Sequence, residues 1–557
     1  MLHNMLGGPI VKPTVPTVAP LAVPSHTRPS TIIPKAQASA SLPSSPDSLA
    51  SSHHSPLASS PDSSVRSVAS RAGAATATVA HAFTHNLNHS VLSSQASLLV
   101  DDFCSSLAHN SAITMLPNYN ISPTGDEYGD FLCIDLGGST LRVAVVSIDR
   151  PDSSVDPAER IHIITEQKWT IANDFKTINT NFFKFIAARI NDTLQAQCVI
   201  ARDCPKIKTG ITWSFPLETT SHNNGRIVHV SKGYSIASDI YNRDLKSILE
   251  QVLAAEHGLN VDVKIILNDS LAVYSAGSFL DKYMKLALVL GTGFNMCCSL
   301  ENNDAIHPDK TWSNATSGNK TLFNTELSLF GDHMLPYLPN KYDYIIEPRF
   351  ENFQFAYKPY MTADPATNSI LQPTELMTSG RYLTELTRLV VVDLIHAKEI
   401  FTQLCLSQMS PLLNGVYDGI SGELLCFIAE TDDSDAIACK LASEYQWPVQ
   451  AITHNDVGVL KTVINCIIER AAFVVAISIV AFIKLLKLHN SQENIHDQAI
   501  NIGYVGSVIT YFNSYRELIK KYVNANDAIV NLGVTVDFKL VDNSSIIGAA
   551  IGAAYYS

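Results

Sequence analysis

Three short stretches of this chain carry residue types suited to holding and transferring a phosphoryl group. In the first, Asp135-Leu136-Gly137-Gly138-Ser139-Thr140 follows the apolar run that starts at Phe131. A tight turn of small residues lets backbone N–H groups approach an anion closely. Ser139 and Thr140 add hydroxyls, and an Asp at the end of a strand can orient the hydration shell of Mg²⁺. In the second, Leu290-Gly291-Thr292-Gly293-Phe294-Asn295 repeats the arrangement after another apolar run, Leu286–Leu290. Two such turns imply two similar lobes facing one nucleotide. In the third, Asn268-Asp269 closes the apolar stretch Val263–Leu267. A carboxylate there can take a proton from a hydroxyl as its oxygen attacks phosphorus. The same pair also reads as the cap of a helix starting near Leu271, and locally both roles stay open.

The elements needed to position these residues are legible as an α/β pattern. FLCIDL, from Phe131, is a buried strand; LRVAVVSI, from Leu141, returns as its hairpin partner. Lys208–Trp213, Val263–Leu267 and Leu286–Leu290 are strand-like. Residues 173–193, 374–406 and 457–488 read as helices. The run Ala471–Ile483 is apolar apart from Ser478. As a helix it reaches about 20 Å, short of a bilayer core of ~30 Å, so it is expected to be a buried core helix and not a membrane span.

Composition narrows the field. The chain has 557 residues, of which 46% are hydrophobic and 16% charged, with net charge −13. That much negative charge disfavours nucleic acid as a partner. Ten cysteines without a CxxC pair read as reduced thiols of a cytoplasmic protein. The acid-poor, Ser-rich start leaves nuclear or mitochondrial association open, and oligomeric state is not fixed. Residues 1–85 are rich in Pro, Ser and Ala and are expected to be a disordered tail. Residues 86–130 are then a helical segment of a large lobe, 131–267 a small lobe, and 268–544 the large lobe. A C-terminal helix, 545–557, is expected to pack on the small lobe.

From Met115 to Gly552 the chain resembles the hexokinase family. The resemblance lies in MLPNYNISPTGDEYGDFLCIDLGGSTLRVAVV, ITWSFPLETTSHNNGRIVHVSKGY, Asn268-Asp269-Ser270 and LVLGTGFNMCC. It continues in Asn324-Thr325-Glu326 with Phe330-Gly331-Asp332, in Gln372 to Leu383, in Glu469-Arg470-Ala471-Ala472 and in Gly503 to Ser507. It implies a two-lobed actin-like ATPase (ribonuclease H-like) fold, each lobe built on a five-stranded sheet. It also implies transfer of phosphate from ATP with Mg²⁺ to the 6-hydroxyl of a hexose or amino sugar. Asp269 would be the base and Lys232 its catalytic partner. Ser214, Phe215, Ser231, Lys232, Asn268, Asn295, Glu326 and Glu375 would bind the sugar. Asp135, Gly137, Gly138, Ser139, Thr140, Arg142, Thr292, Gly293, Gly506, Ser507 and Ser545 would bind the nucleotide, and Asp135 would hold Mg²⁺ through water.

Departures from the family pattern cluster at Ser139-Thr140, Val230, Ala272, Val273, Met296, Leu327, Ser328, Val505 and Ile546. They allow two readings. In one, the kinase is active and its sugar pocket is enlarged where Trp has become Val230 and Leu327, with either N-acetylglucosamine or a glucose-type hexose as acceptor. In the other, Ile546 narrows the adenine pocket and the protein is a catalytically impaired sugar sensor.

Overall fold

The computed structural model describes residues 73–111, 113–118, 122–138, 140–172, 175–196, 206–215, 217–228, 234–311, 320–352, 371–490 and 499–557. Two main sheets are built from β1 (Leu116–Asn118), β2 (Gly129–Leu136), β3 (Thr140–Ile148), β4 (Ile161–Thr170), β5 (Ile207–Trp213), β6 (Val261–Leu267), β7 (Met284–Leu290), β8 (Phe294–Glu301), β9 (Lys320–Asn324), β10 (Ala499–Val505) and β11 (Thr535–Leu540). The helices that position the site are α1 (Ala74–Thr84), α2 (His89–Ala108), α3 (Thr180–Ala196), α4 (Leu245–His257), α5 (Asp269–Leu280), α6 (Gly380–His396), α7 (His454–His489) and α8 (Ser544–Tyr555).

The five-stranded sheet has the order β6-β5-β2-β3-β4, and the six-stranded sheet the order β1-β9-β8-β7-β10-β11. In the first, β2, β3 and β4 form an antiparallel meander, while β5 and β6 add in parallel. In the second, β7, β8 and β9 form the same meander, and β10 and β11 add in parallel. The echo between the two glycine turns is therefore an echo of whole sheets. Against the five strands expected per lobe, the large sheet has a sixth, because β1 pairs antiparallel with β9 at its edge.

Parallel strands need long crossovers. Here α3 and α4 supply them and cover one face of the five-stranded sheet. Leu132, Ile134 and Leu136 pack toward Phe182, Ile186 and Ile248. The alternate residues Phe131 and Cys133 pack on the other face with Ile546, Ala549 and Ala550 of α8. The two-residue period of the pleat thus divides one strand between two cores.

Helix α7 holds the large core together. It has 36 residues and starts with a capping box of Thr453 and Asp456. It is long and apolar enough to cross a membrane, yet 83% of its most apolar window is buried inside the protein. Arg470 within it is fully buried and forks onto Asp343 at 2.6 and 2.8 Å, with a third bond to Leu338 O. The Arg470 guanidinium also lies 4.7 Å from the ring centre of Phe83.

Phe83 corrects the expected tail boundary. Residues 74–84 form α1, with Val79 and Phe83 in the large core. Glu399 caps its start, accepting from Ala75 N at 2.7 Å and from Thr76 N at 2.9 Å. Residues 1–72 of the expected tail lie outside the described residues. The single helix expected over 374–406 is also broken. A short helix ends at Thr378, α6 begins at Gly380 and ends at His396, and turns follow. At the break, Gly380 N donates to Gly291 O at 2.8 Å, which ties this element to the second glycine turn.

Helix α8 is wedged between the five-stranded sheet and α5. A Cβ on Gly548 would stand 2.4 Å from Ala272 O, and one on Gly210 would stand 2.1 Å from Ala549 O. These are backbone-to-backbone contacts that no larger residue fits. Gly548→Ala should therefore cost about 1–3 kcal/mol through overpacking. A thermal melt should show a lower Tm, and an unchanged Tm would mean that the helices part freely at this crossing.

Candidate functional site

Strand β6 ends at Leu267, and the two roles open at Asn268-Asp269 fall to different residues. Asn268 is the N-cap of α5: its Oδ1 accepts from Ser270 N at 2.9 Å and from Ser270 Oγ at 3.1 Å. Asp269 is the first helical residue and is half-buried, with Oδ1 accepting from Ser270 N at 2.8 Å. Asn268 supplies the N-cap, and Asp269 shares the Ser270 N–H with it through one carboxylate oxygen.

Around it the structure gathers side chains from β8, β9 and the turns that follow them. Asn295 Nδ2 donates to Asn324 Oδ1 at 2.8 Å, and Asn324 Nδ2 donates to Glu326 Oε1 at 2.8 Å. Ser270 Oγ lies 3.5 Å from Asn324 Oδ1. Glu326 has φ 51 and ψ 49, a left-handed conformation that is uncommon outside glycine. Glu375 Oε2 accepts from Phe294 N at 3.1 Å, next to Asn295. Four of the predicted sugar ligands, Asn268, Asn295, Glu326 and Glu375, are thus linked to Asp269 directly or through a short chain of neighbours. The sequence reading did not select Asn324, although it sits in the motif that supplied Glu326.

The second group forms where β2, β5, β7 and β10 end. Gly137 N donates to Thr140 O at 2.9 Å, closing the first turn, and Ser214 N donates to Leu136 O at 3.1 Å. Gly291 N donates to Gly293 O at 3.0 Å, closing the second. Gly506 has φ 117, and a Cβ there would lie 2.3 Å from Leu290 O, so the Gly506-Ser507 turn abuts the Gly291 turn backbone to backbone. Thr292 and Ser507 are exposed, whereas Gly138, Thr140 and Ser545 are partly buried.

Asp135, at the end of β2, is the most perturbed acid in the group. Burial pushes its carboxyl up from 3.8 to about 6 against the opposing pull of Arg142, and the negative charge of Asp269 raises it further. Arg142 approaches Asp135 at 3.8 Å but is shared, donating to Glu166 at 2.8 Å and to Asn543, at the start of α8, at 2.8 Å. The nearby Ser545 side chain favours the ionised form of Asp135, and the Ser545 carbonyl accepts from Thr212 Oγ1 at 2.8 Å. The Asp135 carboxylate with Arg142 beside it, within the electrostatic reach of Asp269 and next to two turns rich in backbone N–H groups, forms a donor set that fits a triphosphate with a hydrated divalent cation.

Some predicted residues fall elsewhere. Lys232, Ser231, Ser139 and Val230 lie outside the described residues. The Phe215 ring is 3% exposed and packs against Trp213 and Tyr234 at 5.5 and 4.7 Å, so it supports Ser214 from within the small-lobe core. Ile546, expected to narrow the adenine pocket, is fully buried in the core shared by α5, α8 and β2. Its position one turn into α8 points it inward. Leu327 and Met296 are likewise fully buried in the large core, so neither side chain is exposed in the cleft. A surface recess of about 620 Å³, bordered by residues such as Pro411, Tyr445 and Trp447, contains none of the predicted site residues.

Comparisons with known proteins show what the chain is similar to. Two family models, both described as hexokinase, match residues 79–279 and 285–555. N-acetylglucosamine kinase 1 of Candida albicans is 53% identical over 489 residues, covering 88% of this chain and 95% of that protein. Glucokinase-1 of Saccharomyces cerevisiae is 24% identical over 469 residues, covering 80% and 88%. Among solved structures, a hexokinase from Schistosoma mansoni complexed with glucose has a TM-score of 0.67 at 21% identity, covering 88% of this chain and 100% of that one. At that identity the likeness concerns the fold.

The segment after Glu326 yields a pH prediction. Asp332 is fully buried, and among the described residues neither of its oxygens has a hydrogen-bond partner. Burial raises its carboxyl to about 7, Asp102 adds to the shift, and His333, paired with Asp102 at 3.1 Å, opposes it. The folded state keeps this proton up to about pH 7, while the unfolded chain releases it near 3.8. Stability therefore falls as pH rises through that window. Asp332→Asn should leave Tm nearly unchanged at acid pH, below the window, and raise it at alkaline pH, above it. A lower Tm at alkaline pH would show that the ionised carboxylate is stabilising.

Proposed function

The chain belongs to the hexokinase family and is an ATP-dependent sugar kinase; from that premise we propose that its acceptor is N-acetylglucosamine, phosphorylated on the 6-hydroxyl. The 53% identity to N-acetylglucosamine kinase 1 over most of both chains supports this acceptor. The observation that carries the chemistry is the position of Asp269. It is the first residue of α5, directly after the Asn268 cap, and it lies near Asp135 at the end of the neighbouring lobe's central strand.

In this reading Asn268, Asn295, Glu326 and Glu375 hold the sugar hydroxyls, with Ser214 on the small-lobe side. Asp269 accepts the proton of the 6-hydroxyl. The freed oxygen forms a bond to the γ-phosphorus as the bond from that phosphorus to the bridging oxygen of ADP breaks. The proton leaves Asp269 for solvent after product release. Backbone N–H groups of the Gly137-Gly138 and Thr292-Gly293 turns bind phosphate oxygens, and Lys232 offsets charge on the transferred group. Mg²⁺, held by Asp135 through water, would neutralise part of the triphosphate charge. Buried amides and carboxylates select the sugar because a wrong acceptor leaves them unpaired. With Ile546 in the core, the reading as an impaired sensor loses its reason at that position.

A coupled ADP-release assay with N-acetylglucosamine, glucose, mannose and fructose tests the acceptor. N-acetylglucosamine should give the highest kcat/KM, at least about tenfold above the others, a gap of ~1.4 kcal/mol in transition-state binding. A preference for glucose would reassign the acceptor, and no turnover with any sugar would remove the kinase reading. Asp269→Ala should lower kcat by at least about 10²-fold while sugar binding, followed by calorimetry, persists. Retained turnover would place the base elsewhere.

A further inference from the structure

The polarity of the sugar-side network is set by the backbone and passes through one residue. Asn295 Oδ1 accepts from Met296 N at 2.8 Å and from Leu327 N at 3.3 Å. Those two donors fix the Asn295 amide so that its NH₂ faces Asn324. Asn324 must then present its oxygen to Asn295, and its own NH₂ is left to face Glu326. The reversed amide would set NH₂ against NH₂ on one side and oxygen against carboxylate on the other. Asn324 is only 7% exposed, so water does not readily replace either bond. Its oxygen also lies 3.5 Å from Ser270 Oγ, and Ser270 bonds both Asn268 and Asp269.

We infer that Asn324 is a positioning residue for sugar recognition: it orients Glu326 and Asn295 against each other and ties them to the helix start that bears Asp269. Glu326 shows why such a residue is needed. Its left-handed backbone is a strained conformation that persists only where neighbours over-determine it. The flanking contacts are a bond from Thr325 Oγ1 to Met296 O at 2.7 Å and the Asn324–Glu326 bond itself. The first fixes the backbone, and the second fixes where the carboxylate points. This inference rests on Asn295 and Glu326 being sugar ligands, and the test separates the two claims.

Steady-state kinetics with N-acetylglucosamine and glucose as acceptors, with Tm measured in parallel, would compare wild type with Asn295→Ala, Glu326→Ala, Asn324→Ala and Asn324→Asp. Asn324→Ala should raise the sugar KM about tenfold, the effect of one charge-assisted hydrogen bond, and leave the ATP KM within about twofold. Asn324→Asp should raise it further, since two carboxylates then face each other. In a Glu326→Gln background the Asn324→Asp change should cost much less, because the amide introduced by Glu326→Gln donates to the new carboxylate. A fall in Tm with an unchanged sugar KM, or equal costs of Asn324→Asp in both backgrounds, would overturn the inference. If Asn295→Ala and Glu326→Ala also leave the sugar KM unchanged, the assignment of the sugar ligands has failed instead.

Discussion

The site depends on how closely α8 approaches its neighbours. At Gly548 and Gly210 the packing is backbone against backbone, with room for no Cβ. This contact seats one helix against β5 on one side and α5 on the other, and both α5 and α8 begin at functional residues. Helix α5 starts at Asp269, and α8 starts beside Asn543, which holds Arg142, the cation next to Asp135. The distance between the two carboxylates is thus set by core packing rather than by the carboxylates, which repel. Asp135 registers that repulsion directly, since the charge of Asp269 helps to raise its carboxyl to about 6.

The two sheets explain why so many functional groups meet. Each contains a three-stranded meander with two parallel strands added beside its first strand. In each, the first strand ends in a glycine turn, so the repeated topology produces two anion-binding turns. The large sheet then departs from the small one in a useful way. Its third strand, β9, ends at Asn324 and runs directly into Glu326, which puts sugar-side polar groups beside the second turn. Glu375 joins them by accepting from Phe294 N, at the start of β8. The Gly380–Gly291 bond then couples the start of α6, the next helix, to the phosphate turn.

Much of this was legible in the sequence where the controlling interactions are local. Strand ends, glycine turns and the Asn268 cap all follow from neighbours in the chain. What was misread depends on distant partners. The stretch 74–84 is rich in Ala and Thr and looks like tail, but its helix is capped by Glu399 and fixed by Phe83 against Arg470. No local pattern contains those contacts. Ile546 was misplaced for a related reason: a substituted position in a nucleotide motif suggests a pocket wall, yet the turn of α8 at that residue faces the core.

Leu327 and Met296 extend that lesson to sugar choice. Both are changes near the sugar ligands, and both side chains are buried in the large core. Neither can touch an acceptor in this arrangement. Their backbone N–H groups, however, are the donors that orient Asn295. Any influence of these side chains on recognition must therefore act by shifting the backbone that sets the polarity of the Asn295–Asn324–Glu326 chain. Shape in the cleft and direction in the hydrogen-bond network are separable routes to selectivity. The buried positions of Leu327 and Met296 leave them only the second route.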